Sequence, residues 1–242
     1  MLLDAHCHIE ARDYPDLEAV VERMREARVR AVNTGRNLEA NREVLRVAAA
    51  YPDDFFVAIG VSPHDAQTCD LPAEEGFVRE NASKIVAVGE IGLDYHYFKT
   101  REEHARQQVV FEGMLALAEE LGKPVVVHSR DAESVVAETL KSFNVKALLH
   151  CLQVPEAAGW MPEKTWFSLT TLKNTARVRL IENAPFERLL AETDSPFLGK
   201  GRNEPANVAL VYTEIARLKN AGAGETEERL WGNAGELFSW RA

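Results

Sequence analysis

The chain has 242 residues, 46% of them hydrophobic, enough for one large domain with a substantial core or for two small ones. Its 38 acidic against 28 basic residues leave a net charge of −10, which argues against a broad basic surface for non-specific nucleic-acid binding. No apolar run approaches the ~18 residues needed to span a bilayer, Asp4 interrupts the first apolar stretch where a signal peptide would continue, and Cys7, Cys69 and Cys151 are too few for a disulfide framework, so a cytoplasmic protein with reduced thiols and no membrane contact is expected.

Short runs rich in β-formers alternate with longer amphipathic ones. The predicted strands are 2–6, 30–35, 55–60, 85–90, 124–129, 145–151, 165–170 and 188–193. Several, such as "PVVVHS" and "VKALLHC", are nearly continuous apolar runs, as in a parallel sheet covered on both faces. The first two helices are predicted over 16–29 and 37–50. Leu17, Val20, Val21 and Met24 are spaced by threes and fours in one, and Leu38, Val44, Leu45 and Val47 form the stripe of the other. A long helix from 101 to 121 stops at Gly122, with Pro124 just beyond. Further helices are predicted over 131–143, 174–183, 205–220 and 225–238. Eight strand units in about 250 residues predict an α/β fold, a TIM-type (β/α)8 barrel forming a single domain over 1–242, with a doubly wound open sheet as the runner-up.

In such a barrel, reactive side chains gather where strands end. His6 and His8 follow the first predicted strand, and His64 lies past the third. Glu90 ends the fourth, His128 the fifth and His150 the sixth, and Asp194 follows the eighth. Each alone reads most simply as a hydrogen-bonded or capping residue, as His96 and His104 do. Their concurrence at one end of one barrel points to divalent-metal ligands. Strand alternation puts His6 and His8 on one face and Cys7 on the other. Asp194 can close against them, because the first and eighth strands adjoin. Glu90 has two oxygens and could bridge to a second ion held by His128 and His150, and paired ions ~3.5–4 Å apart recur in phosphoester hydrolysis. Two divalent ions, two carboxylates and a hydroxide leave about one positive charge, which lets an acidic protein bind an anion such as DNA locally.

At this point the sequence resembles the TatD-type metal-dependent hydrolases of the amidohydrolase superfamily. The matching stretches are "DAHCHIE" (4–10), "VAVGEIGLDYH" (86–96), "QQVVFEGMLALAEELGKPVVVHSRDA" (107–132), "HC" (150–151), "AETDSPFL" (191–198), "GRNEP" (201–205) and "GNAGELF" (232–238), in order along nearly the whole chain. The resemblance implies two divalent metal ions of the zinc, manganese, magnesium, nickel or iron kind. One would sit on His6, His8, Glu90 and Asp194, the other on Glu90, His128 and His150. It implies a DNase that cleaves phosphodiester bonds with a metal-bridging hydroxide, Glu90 and Asp194 being the catalytic carboxylates. His64 falls where the family often has a substrate-contacting histidine. Arg130 and Arg202, in loops after the fifth and eighth strands, are expected to contact substrate oxyanions, and Glu192 to orient neighbouring groups. Two stretches depart from the family pattern. "GVSPH" puts Ser62 where the first histidine of G-x-H-P usually stands, and "HCLQV" replaces the usual HCFTG or HCFSG. Both lie on substrate-facing loops.

The alternative within the same superfamily is a metal-dependent esterase, deacylase or amidase, for example acting on aminoacyl-tRNA. Many such enzymes bridge their metals with a lysine from the fourth strand, and Glu90 stands there instead. A non-catalytic metal-binding barrel and a cysteine nucleophile are weaker alternatives, and no G-x-G-x-x-G follows any predicted strand to support a dinucleotide site. No obligate protein partner is evident.

Overall fold

A computed structural model describes residues 1–199 and 201–240. Eight parallel strands are joined in sequential order: β1 (Leu2–Cys7), β2 (Val29–Thr34), β3 (Phe55–Ile59), β4 (Ala87–Asp94), β5 (Val125–Arg130), β6 (Ala147–Leu149), β7 (Thr165–Leu169) and β8 (Leu189–Ala191). Around them run α1 (Leu17–Glu26), α2 (Leu38–Ala50), α3 (Leu71–Glu80), α4 (Arg101–Glu120), α5 (Glu133–Lys141), α6 (Thr175–Asn183), α7 (Val208–Lys219) and α8 (Ala223–Phe238). The barrel nearly closes. Just past β8 the Asp194 amide donates to the His6 carbonyl at 3.0 Å, and the His8 amide donates to the Ser195 carbonyl at 2.6 Å. Among the described residues no helix is long and apolar enough to cross a membrane.

The strands sort their side chains by alternation. Leu3, Ala5, Val32, Ala58, Ala87, Val126, Leu148, Trp166 and Leu190, drawn from all eight strands, fill the barrel interior. Their neighbours Val29, Ala31, Val57, Val88, Val125, Val127, Leu149 and Phe167 pack outward into the larger core beneath the helices. Leu237 and Phe238 of α8 join the interior cluster, with Phe56, Val86 and Trp240 packed against it. Phe56 and Val86 lie at the starts of β3 and β4, so the end of α8 plugs the N-terminal mouth of the barrel. Only the C-terminal mouth remains for chemistry.

Local sequence sets the helix starts. The Asp16 and Asn37 side chains accept from the amides of Ala19 and Ala40 at the heads of α1 and α2. Thr100 and Glu103 form a reciprocal capping box at the head of α4. The predicted barrel is found, with two differences. α3 has no predicted counterpart, since Pro72 and Gly76 disguise it. Pro is tolerated in a first turn, and Asp70 caps that turn by accepting from Ala73. Between β6 and β7, where no helix is predicted, stands a single 3-10 turn, Pro155–Gly159. β1 and β4 run past their predicted ends, to Cys7 and Asp94, so His6 and Glu90 lie inside strands rather than at their ends. His128 likewise lies inside β5.

Leu148 is fully buried in the interior cluster. Leu148→Ala is therefore expected to cost about 2–5 kcal/mol, read as a lower urea midpoint at unchanged slope.

Candidate metal centre

Two strand irregularities aim the central side chains. Between β1 and β2, Asp4 pairs with Ala31 and Cys7 with Asn33, so β1 carries one extra residue beside His6. Between β4 and β5, Val88 pairs with Val125 and Ile91 with Val127, so β4 carries one extra residue beside Glu90. Bulges of this kind re-aim a side chain. Gly92 follows at φ 137°, and a Cβ there would lie 2.0 Å from the His128 carbonyl oxygen. Only glycine lets β4 come this close to β5. Asp194 itself adopts φ 54°, a left-handed conformation that aspartate tolerates better than most residues.

The six predicted ligands converge. His6 Nε2 and His8 Nε2 are 3.1 Å apart, and each is 3.6 Å from Asp194 Oδ1. Glu90 spans the cluster, its Oε2 lying 3.5 Å from His8 Nε2 and its Oε1 3.0 Å from His128 Nδ1 and 3.2 Å from His150 Nε2. His128 Nδ1 and His150 Nε2 are 3.2 Å apart. The His6 and His150 rings stack at 4.1 Å between centroids, so the two halves share one wall. Three groupings of potential donor atoms result: His6, His8 and Asp194; His6, Glu90 and His150; His64, Asp94 and His128. The first two overlap at His6, where the expected sets share Glu90, and the third involves Asp94, which was not among the predicted ligands.

Proton bookkeeping shows what this cluster needs. His8 Nδ1 faces the Thr34 carbonyl at 2.7 Å, and a carbonyl only accepts, so neutral His8 donates from Nδ1 and presents a lone pair at Nε2. His128 Nε2 faces Asp94 Oδ2 at 3.0 Å, so neutral His128 donates there and turns an Nδ1 lone pair to Glu90. His150 Nδ1 points to Glu192 Oε1 at 3.6 Å, which leaves the Nε2 lone pair for the same Glu90 oxygen. Lone pairs therefore face lone pairs at about 3 Å in a buried space, and that arrangement needs a cation. Without metal, protons take the role. Burial pushes His150 and His128 down, but the facing carboxylates of Glu192 and Glu90 raise His150 well above the ordinary histidine value, and the bonds to Asp94 and Glu90 raise His128. Burial pushes Glu90 up, and its bonds with His128 and His150 outweigh that and hold it well below the carboxylate range. His6 and His8 go the other way: burial lowers both, and His150 and His8 lower His6 further. Neutral imidazoles are the metal-binding form, and the His6 Nδ1 atom is buried without a partner among the described residues. This donor set fits a divalent cation.

Buried neighbours hold the cluster in place. Asp94 is fully buried and accepts from His64 Nε2 and His128 Nε2, each at 3.0 Å, and from the His96 and Tyr97 amides, each at 2.9 Å. It sits in "GLDYH", but sequence alone marks it only as one acid among 38. Asp4 Oδ1 accepts from the Thr193 amide at 2.8 Å and Oδ2 from its hydroxyl at 2.5 Å, tying β1 to the loop that carries Asp194. Glu192 is anchored by the Ser168 hydroxyl. The Cys7 side chain points away, its Sγ 3.5 Å from the Val32 carbonyl oxygen, and burial raises its thiol well above the ordinary value. Burial pushes Cys151 up to about 12. Neither thiol is poised as a nucleophile.

A cleft of about 460 Å³ opens over the cluster, lined by His128, His150 and Asp194 together with Arg130, His96 and Gln153. Of the three predicted substrate contacts, Arg130 lines this cleft and His64 reaches the cluster through Asp94. Arg202 instead lies over the Tyr14 ring at 5.7 Å and is not part of the cleft lining. His96, predicted to be incidental, does line it and faces Asp131 at 3.1 Å. His104 is structural, stacked on Tyr95 at 3.7 Å between centroids.

The sequence profile of the TatD related DNase family matches residues 3–239. The chain belongs to that family. An uncharacterized metal-dependent hydrolase of Methanocaldococcus jannaschii is 33% identical, covering 99% of this chain and 97% of its own length. A 3'-5' ssDNA/RNA exonuclease TatD of Edwardsiella piscicida is also 33% identical, over 92% of this chain and 93% of its own. The crystal structure of YjjV, a TatD homologue from Escherichia coli K12, superposes with a TM-score of 0.87 at 25% identity, covering 99% of this chain and 98% of its own. The TatD family is thus one of metal-dependent hydrolases, and this member carries clusters of residues able to hold metal.

The metal-free state has a pH signature. Burial, opposed by His150 and reinforced by Glu192, pushes the Asp194 carboxyl from 3.8 up to about 8. Its contribution to stability is full below the unfolded value and is lost as pH rises through the folded one. Asp194→Asn removes this loss, so chelator-treated variant should gain stability relative to chelator-treated wild type between pH 4 and pH 8, as measured by urea unfolding.

Proposed function

We propose that residues 1–242 work as a single divalent-metal-dependent nuclease domain of the TatD type that cleaves phosphodiester bonds of DNA. The observation that carries this is the convergence of imidazole and carboxylate donor atoms on Glu90, a set that a divalent cation would satisfy. In this reading His6, His8, Glu90 and Asp194 hold one ion and Glu90, His128 and His150 a second, drawn from zinc, manganese, magnesium, nickel and iron. Bound there, divalent ions supply Lewis-acid activation of water and neutralise charge on phosphoryl oxygens. Asp194 turns Oδ1 to the two histidines, and its Oδ2 accepts a proton from the attacking water. Arg130 from the cleft lining and His64 from beside His128 bind substrate oxygens. The positive charge lies with the ions rather than over the surface, so DNA binding is local to the site. Three free thiols fit a cytoplasmic protein.

The test is nuclease activity and metal content of the reconstituted protein with manganese or magnesium. Metal charge stabilisation is worth several kcal/mol, so Glu90→Ala and Asp194→Ala should each lower kcat/KM by on the order of 100-fold or more. Activity equal to wild type in both variants defeats the assignment. Ester hydrolysis by wild type, with no cleavage of any nucleic acid, would place the substrate in the esterase class instead.

Asp94 touches no proposed reacting atom but fixes the ring orientation of His128 and His64. Asp94→Asn is expected to weaken metal binding by about 10- to 100-fold with an unchanged circular dichroism spectrum, measured by competition with a chromogenic chelator.

A further inference from the structure

Two exposed aromatic rings border the histidine cluster on opposite sides. Tyr97 is 61% exposed, and its ring meets His64 edge-on at 5.6 Å, with His64 in turn 5.6 Å from His128. Phe197 is 48% exposed, and its ring lies 6.0 Å from His8. His8 and His128 face opposite oxygens of Glu90, so one ring lies beyond each end of that carboxylate.

Tyr97 is exposed but held in place. Its amide donates to buried Asp94 at 2.9 Å. The Arg130 guanidinium covers part of the ring at 4.9 Å from the centroid and donates to its hydroxyl at 3.3 Å, and the His96 ring stands perpendicular to it at 4.9 Å. A ring fixed in this way loses little freedom when a flat partner settles on it. Phe197 is similarly pinned through its backbone, its amide donating to the Asp194 carbonyl at 2.9 Å. An aromatic face backed by a guanidinium, beside a centre that takes an anionic ester, is the combination that binds unpaired nucleobases. Bases inside a duplex stack on each other and offer no free face.

We propose that Tyr97, braced by Arg130, and Phe197 are stacking platforms for the nucleobases flanking the scissile phosphate, so that the site favours a base-bearing strand over an abasic one. This rests on the nuclease reading above. The rings act on substrate affinity and positioning, and the cluster around Glu90 carries the chemistry.

The experiment compares kcat/KM for a single-stranded oligothymidylate and for an equally long, equally charged oligonucleotide of tetrahydrofuran abasic residues, with manganese. Wild type should prefer the base-bearing strand by about tenfold or more, the scale of one stacked base. Tyr97→Ala should bring that ratio towards one, Tyr97→Phe should keep it, and Phe197→Ala should reduce it. Equal cleavage of both strands by wild type, or a ratio that survives both alanine variants, overturns the proposal. Wild type that cleaves neither strand overturns the nuclease reading and this inference with it, a result separable from a lost preference. Quenching of a 2-aminopurine base on binding, present in wild type and Tyr97→Phe and absent in Tyr97→Ala, gives a second readout independent of turnover.

Discussion

Everything at the open end of this barrel follows from crowding acceptors around one buried carboxylate. Glu90 stands between His8 on one side and His128 and His150 on the other, at 3.0–3.5 Å from each. A carboxylate and neutral imidazoles all offer lone pairs, and burial removes the water that would otherwise solvate them. The opposite shifts within the cluster are the result. Histidines with carboxylate partners on both nitrogens hold protons, whereas burial, reinforced at His6 by the neighbouring histidines, makes His6 and His8 give them up. Keeping such a cluster costs stability unless a cation enters it, so its presence is itself an argument for function.

The rest of the molecule supplies rigidity against that cost. The extra residues in β1 and β4 turn His6 and Glu90 inward, and Gly92 lets β4 approach β5 closely enough to place Glu90 against His128. At the barrel seam, Asp4 and Thr193 tie the first strand to the last, so the His6–His8 pair and Asp194 share one frame. Beneath them the interior is packed from every strand and sealed by the end of α8. A site that packs this many donor groups into a buried space keeps its geometry only on such a base.

Much of this was legible in the sequence. The strands and most helices follow from apolar periodicity, and the ligand positions from histidines and carboxylates recurring near strand ends. Alternation alone separates His6 and His8 from Cys7, and the structure agrees, with Cys7 buried against Val32. Periodicity could not show how far β1 and β4 extend, because a bulge adds a residue without changing local composition. α3 was hidden by a proline and a glycine that position within the helix makes tolerable. Arg202 followed a loop to the right end of the barrel, but its stacking on Tyr14 depends on a partner nearly 190 residues away in the chain.

Asp94 and His96 show the limit most clearly. Both lie in one short stretch, "LDYH", and nothing in their spacing distinguishes a buried acid that orients two histidines from a solvated turn. The distinction is made by the register of β4 against β5, which sets Asp94 opposite Arg130 and brings it within 3.0 Å of His128. The same pairing puts the turn after β4 beside the end of β5, so Arg130 meets Tyr97 there. One strand register therefore decides two things: the orientation of a histidine inside the cluster and the placement of an aromatic ring at its rim. The chemistry and the surface that meets its substrate are coupled through β4. A change that slips this register would disturb both, whereas a change at Tyr97 alone touches only the rim.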